Sequence, residues 1–383
     1  MQVIFCLALA CVLFAYIGYP LVLRLLIALR PTPARAIGQG PTSADIVMAV
    51  HNEEASVARR VRELQRMLKS SQMHGRLIVV SDGSTDRTAA TVRENAEFGT
   101  EVIELAEKCG KASAISLGAK VARSEIIVFA DVRQTWAPDA LVKLLEPFRD
   151  DSVGAVSGDL VLQDAQGIMQ GVGLYWRYEK WVRRLESRRS STVQVSGAIS
   201  AVRAGLFHGI PAGTILDDVY WPLQVAIQGF RVVHCEEAIS FDQLPERAHD
   251  EFRRKVRTLS GNFQLLSLLP AALLPWRCRT WFEYLSHKLL RLLVPWALIA
   301  IFICSLLGRF HFAHALIALQ ILFYSLGFVS IVYGKRVKIP LAGAAGSFMM
   351  LNAAAWMAFW VWAFGRTGKS WTKTAYKSPI DDG

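Results

Sequence analysis

The stretch I-I-V-F-A-D-V-R-Q runs from Ile126 to Gln134. Its apolar residues, Ile126 to Ala130, end at Asp131, and Arg133 follows two positions later. A short unbroken apolar run reads as a strand buried on both faces. The carboxylate then stands where the strand leaves the core. Three similar runs precede it, at Asp45–Val50, Leu77–Val80 and Val102–Leu105. Helical patterns lie between them. Val57, Val61, Leu64 and Leu68 recur at spacings of four, three and four, and Thr88–Ala96 and Lys111–Val121 follow. Pro138 is predicted to open a further helix, a position proline favours, with Leu141, Leu144, Leu145 and Phe148 as its buried stripe.

This alternation predicts an α/β domain with a mainly parallel sheet covered by helices on both faces. Such sheets bind ligands beyond the carboxyl ends of their strands. His51-Asn52-Glu53-Glu54, Ser81-Asp82-Gly83-Ser84 and Asp131-Val132-Arg133 each follow a strand, so they are expected at one common edge.

The flanks have a different character. The chain has 383 residues, 52% of them hydrophobic, and a mean hydropathy of +0.29, too apolar for an ordinary soluble enzyme. The excess sits at the ends. Val3–Leu29 carries Arg24 as its only ionisable side chain and is long enough to cross a bilayer. No Lys or Arg precedes this run, which argues against a secretory signal and against a lipoprotein site at Ala10-Cys11. Residues 289–307, 313–333 and 341–364 give three further candidate spans. Arg24, Arg30 and Arg35 follow the first span and place the middle domain in the cytoplasm by the positive-inside rule. Lys335, Arg336 and Lys338 agree, whereas Arg366, Lys369, Lys373 and Lys377 fall on the opposite side if all four segments cross.

The net charge of +11 fits a membrane protein with basic cytoplasmic clusters, such as Arg183-Arg184, Arg188-Arg189 and Arg253-Arg254-Lys255, better than a nucleic-acid partner. The six cysteines form no C-x-x-C pair, so neither a zinc site nor a disulfide framework is expected. There is no G-x-G-x-x-G and no phosphate-binding G-x-x-x-x-G-K-[S/T] loop.

Taken singly, Asp82-Gly83-Ser84-Thr85-Asp86 and Asn52-Glu53-Glu54 could be only turns and helix caps. Their order carries more information. V-x-x-H-N-E-E is followed by S-D-G-S-T-D, then K-C-G-K-A at Lys108–Ala112, then F-A-D at Phe129–Asp131. Over residues 44–265 the chain resembles the inverting family 2 glycosyltransferases of GT-A fold, in their membrane polysaccharide-synthase branch.

The resemblance implies a Rossmann-like GT-A cytoplasmic domain flanked by transmembrane helices. The expected division is an N-terminal transmembrane helix at 1–30, the GT-A domain at 36–262, interfacial helices at 263–288, three transmembrane helices at 289–365 and a basic tail at 366–383. Asn52 and Glu53 would line the nucleobase and ribose pocket of a sugar nucleotide, and Asp82 would hold the base. Gly110 and Lys111 would lie beside the diphosphate, and Asp131 would meet the ribose and the metal-bound diphosphate. Ser196 and Gly197, in Val195–Arg203, match the acceptor-side loop. Leu216-Asp217-Asp218 stands where most members have T-E-D, so Asp218 would be the general base, with Asp217 on the acceptor side. A helix cap before Val219–Ile227 is the alternative reading of this pair.

Two positions depart from the pattern. Arg133 replaces the second acid of D-x-D and cannot ligate a metal. A divalent cation, Mg or Mn, is therefore expected on Asp131 alone among these residues, with Arg133 either on a phosphate or in solvent. At residues 254–258 the family's Q-x-x-R-W reads R-K-V-R-T, which keeps only Arg257, near the diphosphate or on a solvated basic face.

The expected activity is transfer of a sugar from a UDP-sugar to a growing glycan, as in exopolysaccharide synthesis, by an integral protein of a bacterial inner membrane. The partners are then the donor, a glycan or lipid-linked acceptor and the bilayer, with any export partners unspecified. Single-sugar transfer to a lipid-linked acceptor and a non-catalytic sugar-nucleotide-binding subunit are the alternatives.

Overall fold

The computed structural model describes residues 1–29, 38–97, 99–163, 168–243, 248–308, 313–333, 339 and 341–366. Arg30, Arg35, Lys335, Arg336, Lys338, Lys369, Lys373 and Lys377, used above for orientation, lie outside the described residues.

The chain begins with one long helix, α1 (Gln2–Leu29), widened to a π-turn at Phe14–Gly18. Then come β1 (Ala44–Val50), α2 (Glu54–Ser70), β2 (Leu77–Asp82), α3 (Thr88–Glu94), β3 (Thr100–Leu105), α4 (Lys111–Val121) and β4 (Ile126–Ala130). These follow the sequence reading closely. The next helix does not start at Pro138. That residue lies in a turn closed by Ala140 N donating to Ala137 O, and α5 (Ala140–Leu145) begins after it, behind the two-residue β5 (Thr135–Trp136).

β6 (Val153–Gln163), α6 (Ile168–Arg189), β7 (Ile199–Arg203), α7 (Asp217–Ile227), β8 (Arg231–Gln243) and α8 (Ala248–Leu268) complete the domain. The eight strands form one sheet in the order β3-β2-β1-β4-β7-β6-β8-β5. β3, β2, β1 and β4 are mutually parallel. β7 enters antiparallel to both β4 and β6, β6 pairs parallel with β8, and β5 closes antiparallel on β8. The sheet is thus a parallel half joined to a mixed half.

Alternation along the strands sends side chains to two cores. On one face Ile46, Met48, Leu77, Val79, Ile126 and Val128 pack with α2 and α5. On the other, Val47, Ile78, Val80, Ile127 and Phe129 pack with α4, α7 and Leu265 of α8. β1, β2 and β4 are therefore apolar at nearly every position, with Asp45, Ser81 and Asp82 towards their ends, whereas the edge strand β3 is only partly buried and carries Thr100, Glu101 and Glu104.

α9 (Trp281–Leu307), α10 (Ala313–Tyr333) and α11 (Ala342–Ala363), with α1, are the four helices among the described residues long and apolar enough to cross a membrane. α9 starts at Trp281, before the span expected at 289, and α8 runs on without a break through Phe263 to Leu268. α1 packs on α9, and α11 packs on α10, α8 and α6. The sheet domain is thereby tied directly to the apolar helices.

Candidate active site

Two loops at the carboxyl ends of β1 and β2 are clasped together. Asn52 adopts a positive φ of 54°, a conformation Asn tolerates better than most residues. Its Oδ1 accepts from Thr85 N at 2.8 Å, and its own N–H donates to Ser84 Oγ at 3.2 Å. Glu53 N–H donates to Thr88 Oγ1 at 2.7 Å, and His51 Nδ1 lies 2.7 Å from Asp82 O. The motif residues thus build a wall before they touch any ligand.

Asp82 is buried, and its carboxylate accepts from the backbone N–H groups of Cys109 at 2.7 Å and Gly110 at 2.9 Å. Its immediate work is to fix the turn that starts α4. Gly83 makes that approach possible. It sits at φ +59°, and a Cβ there would lie 2.4 Å from Lys108 N.

The turn fixed by Asp82 presents Lys111 at the first position of α4. Lys111 Nζ donates to Asp131 Oδ1 at 2.7 Å and lies 3.9 Å from Asp217 Oδ2. The end of β4 and the starts of α4 and α7 meet at this ammonium. Burial pulls the Lys111 pKa down, but Asp131, Asp217 and Asp218 more than offset it, and the amine is held above its ordinary value. For Asp218 the balance goes the other way. Burial first and then Asp217 push its carboxyl up to about 6, against the pull of Lys111, Lys288 and Arg183.

The acceptor-side loop is bonded to the same place. Val195 N donates to the Asp218 carbonyl at 2.9 Å, and the buried Ser196 N–H donates to Ser157 Oγ at 2.9 Å. A Cβ on Gly197 would stand 3.5 Å from Lys111 Nζ and 3.8 Å from Asp131 Oδ2, so the loop faces the Lys111–Asp131 pair. Asp217 and Asp218 do not cap α7. Its N-cap is Leu216, without a side-chain cap bond, and both acids lie in the first turn, where the helix dipole favours their charge.

α8 supports this pair from behind. Ile215 N donates to Gln264 Oε1 at 3.0 Å, and a Cβ at Gly261 would meet Leu216 Cγ at 2.7 Å. Arg257 lies one turn before Gly261 on the same helix. The departures at 254 and 258 are taken up within the helix. Arg254 forks onto the buried Glu251 at 2.7 and 2.8 Å, and Thr258 Oγ1 donates to Arg254 O at 2.9 Å.

The Arg133 side chain is partly exposed and is turned to β8. Its guanidinium donates to Asp242 Oδ2 of β8 at 2.5 Å, and Gln134 Nε2 donates to the same oxygen at 2.9 Å. Asp242, Ser157, Gly261 and Gln264 were not anticipated, because each acts through a neighbour distant in sequence. Among the described residues no group of three or more His, Cys, Asp or Glu could hold a metal ion. Asp131 is a single carboxylate donor, so a divalent cation fits here only if diphosphate oxygens complete its coordination.

Residues 45–205 match the family described as Glycosyl transferase family 2. The poly-beta-1,6-N-acetyl-D-glucosamine synthase of Staphylococcus aureus (strain COL) is 23% identical over 235 residues, 57% of this chain and 54% of the relative. An N-acetylglucosaminyltransferase of Rhizobium leguminosarum bv. viciae is 24% identical over 254 residues, 61% of this chain and 59% of that protein. The alignments thus span little more than half the length of these relatives. Among solved structures, the mannosyltransferase PcManGT from Pyrobaculum calidifontis, in complex with GDP-Man and Mn2+, superposes with a TM-score of 0.71 at 19% identity. That superposition covers 95% of this chain and 99% of the other. The likeness extends through the apolar helices and establishes the fold.

Proposed function

Residues 45–205 being a family 2 glycosyltransferase domain, we propose that the chain is a membrane-embedded inverting glycosyltransferase that moves a sugar from a UDP-sugar to a growing glycan. The observation that carries this reading is the convergence of Lys111, Asp131, Asp217 and Asp218 beside the Val195–Gly197 loop. Inverting transfer needs a base on the acceptor side and positive charge on the leaving diphosphate.

Asp218 takes the proton of the acceptor hydroxyl as its oxygen attacks the anomeric carbon. A carboxyl titrating near 6 is ionised at neutral pH, yet basic enough for that transfer. Lys111 stands beside the diphosphate and neutralises it as it departs. Asp131, together with diphosphate oxygens, would hold a divalent cation whose chemistry is the same neutralisation. Asn52, Glu53 and the turn ordered by Asp82 shape the nucleoside pocket, and Ser196, Gly197 and Asp217 border the acceptor. Arg257, on the helix that backs the acids, lies towards the diphosphate.

The names of the two bacterial relatives make UDP-N-acetylglucosamine the first donor to try. Arg24, at the end of α1, supports a cytoplasmic catalytic domain in a bacterial inner membrane.

The test is UDP release by the full chain in detergent across a panel of UDP-sugars, with glycan acceptors supplied, in Mg²⁺, Mn²⁺ or EDTA. Release with one donor that disappears in Asp218→Asn establishes the activity. UDP binding without release from any donor would instead make the chain a nucleotide-binding subunit.

A further inference from the structure

Asp131 is also held through its backbone. β4 ends at Ala130 and β5 begins at Thr135, so the carbonyls of 131–134 need donors from outside the ladder. α2 supplies two of them. Arg60 Nε donates to the Asp131 carbonyl at 3.0 Å, and Arg59 Nη2 reaches the Arg133 carbonyl at 3.4 Å. Arg60 is fully buried. Its Nη1 faces Glu63 Oε1 at 2.9 Å, and its guanidinium carbon lies 4.7 Å from the centroid of the Trp136 ring.

Trp136, 5% exposed, carries the connection onward. Its backbone N–H donates to the same Glu63 oxygen at 2.8 Å, and its Nε1–H donates to the Ala198 carbonyl at 3.0 Å. Ala198 directly follows Gly197 in the acceptor-side loop. Asp131, Arg60, Trp136 and Ala198 thus form one chain of contacts. It joins the residue at the mouth of β4 to the loop bonded to Asp218.

A buried guanidinium is a costly filling for a core, and apolar side chains of similar volume often pack at least as well. Burial pulls the Arg60 pKa down, and Glu63 and then Asp131 act against it. Among the described residues neither Nη atom makes a hydrogen bond, and the one that the guanidinium makes goes to Asp131. Trp136 likewise directs its only side-chain donor to the loop. We propose, on the glycosyltransferase reading, that Arg60 and Trp136 are positioning residues for the transfer. Arg60 aims Asp131 at the donor diphosphate. Trp136, whose ring lies under the guanidinium, holds the 195–198 loop at its distance from Asp131.

The experiment uses the full chain in detergent and compares Trp136→Phe, Arg60→Lys and Arg60→Met with the wild type. It reads the thermal midpoint, calorimetric UDP affinity in Mn²⁺, and KM and kcat with an N-acetylglucosamine oligosaccharide as acceptor. Trp136→Phe keeps a ring under the guanidinium and removes the Nε1–H. Its UDP affinity stays within about 2-fold of the wild type, while its acceptor KM rises about 3- to 10-fold, the scale of one lost hydrogen bond. Arg60→Lys keeps a charge without the Nε donor or the planar face. Its UDP affinity falls about 10-fold, and that of Arg60→Met falls at least as far. Amide hydrogen exchange, which needs no substrate, quickens across 195–199 in Trp136→Phe and also across 131–134 in Arg60→Lys. A merely structural pair would lower the midpoints and leave the affinity and KM of the folded protein unchanged. That result, or loop exchange untouched in Trp136→Phe, overturns the positioning role. Should Arg60→Met fail to fold, Arg60→Lys and Trp136→Phe decide. A wild type that binds no UDP overturns the glycosyltransferase reading and the proposal together; wild-type binding with unaltered variants overturns the proposal alone.

Discussion

Lys111 Nζ donates to Asp131 Oδ1 at 2.7 Å, so the first residue of α4 and the first residue after β4 hold one another across the sheet edge. Asp82 sets this geometry from a distance, by fixing the turn that delivers Lys111. Lys111→Met would leave Asp131 and Asp217 facing an incoming diphosphate with their charge unbalanced. UDP affinity, read by calorimetry, is expected to fall about 10- to 100-fold, with Lys111→Arg intermediate. Unchanged affinity in the methionine variant would show that the ammonium serves only the fold.

Asp218 gives a prediction of defined sign in pH. Its carboxyl is raised from an ordinary 3.8 to about 6, and the proposed base acts only when ionised, so turnover is expected to rise as pH passes through about 6 and to level off above it. The same shift acts oppositely on stability. The folded state holds this proton more tightly than the unfolded chain, so Asp218's contribution is most favourable below about pH 4 and is lost as pH rises to 6. Asp218→Asn should therefore be inactive yet melt at or above the wild-type temperature at pH 7.5. An inactive variant that also melts well below wild type would mark a structural carboxylate.

Gly83→Ala is expected to damage the donor side. The new Cβ meets Lys108 N at 2.4 Å, and φ +59° is unfavourable for alanine. Strain on the order of 1–3 kcal/mol follows. A lower melting temperature with weakened UDP binding would register it. Normal behaviour in both assays would mean that the 107–108 backbone gives way freely.

Arg133 and Asp242 are expected to act as one unit. Arg133 is 37% exposed, so solvent screens the pair, and a coupling of about 0.5–1 kcal/mol is the appropriate scale. Arg133→Gln, Asp242→Asn and the double variant should give melting shifts that are less than additive. Strict additivity would show that each side chain serves the fold through other neighbours. If instead Arg133→Gln leaves stability alone and weakens donor binding, the arginine works on the phosphate.

The parallel half of the sheet was legible because β1, β2 and β4 are buried on both faces, which forces continuous apolar runs such as Ile126–Ala130. The mixed half was not. Ile199–Arg203 reads as part of a loop motif, and only its antiparallel insertion between β4 and β6 makes it a strand. Pro138 failed as a helix start because the Ala137 carbonyl closes a turn there first. Asp217 and Asp218 could be found by motif order, but Lys111 as the group that joins them to Asp131 depends on a fold-level juxtaposition. Burial of Arg183, grouped in the sequence with the basic cytoplasmic clusters, was not legible from its charge; Glu179 and Glu186, four and three residues away on one helix face, were the available signal.

The close seat of Gly261 against Leu216 decides where this protein can be cut. A chain ending at Gln243 would retain all eight strands and every acid around Lys111. It would nevertheless lose the helix on which Ile215 and Leu216 rest, and that helix is itself held by α11. The carboxylates around Lys111 therefore have no detachable soluble half beneath them: the helix that backs them is anchored among the apolar helices.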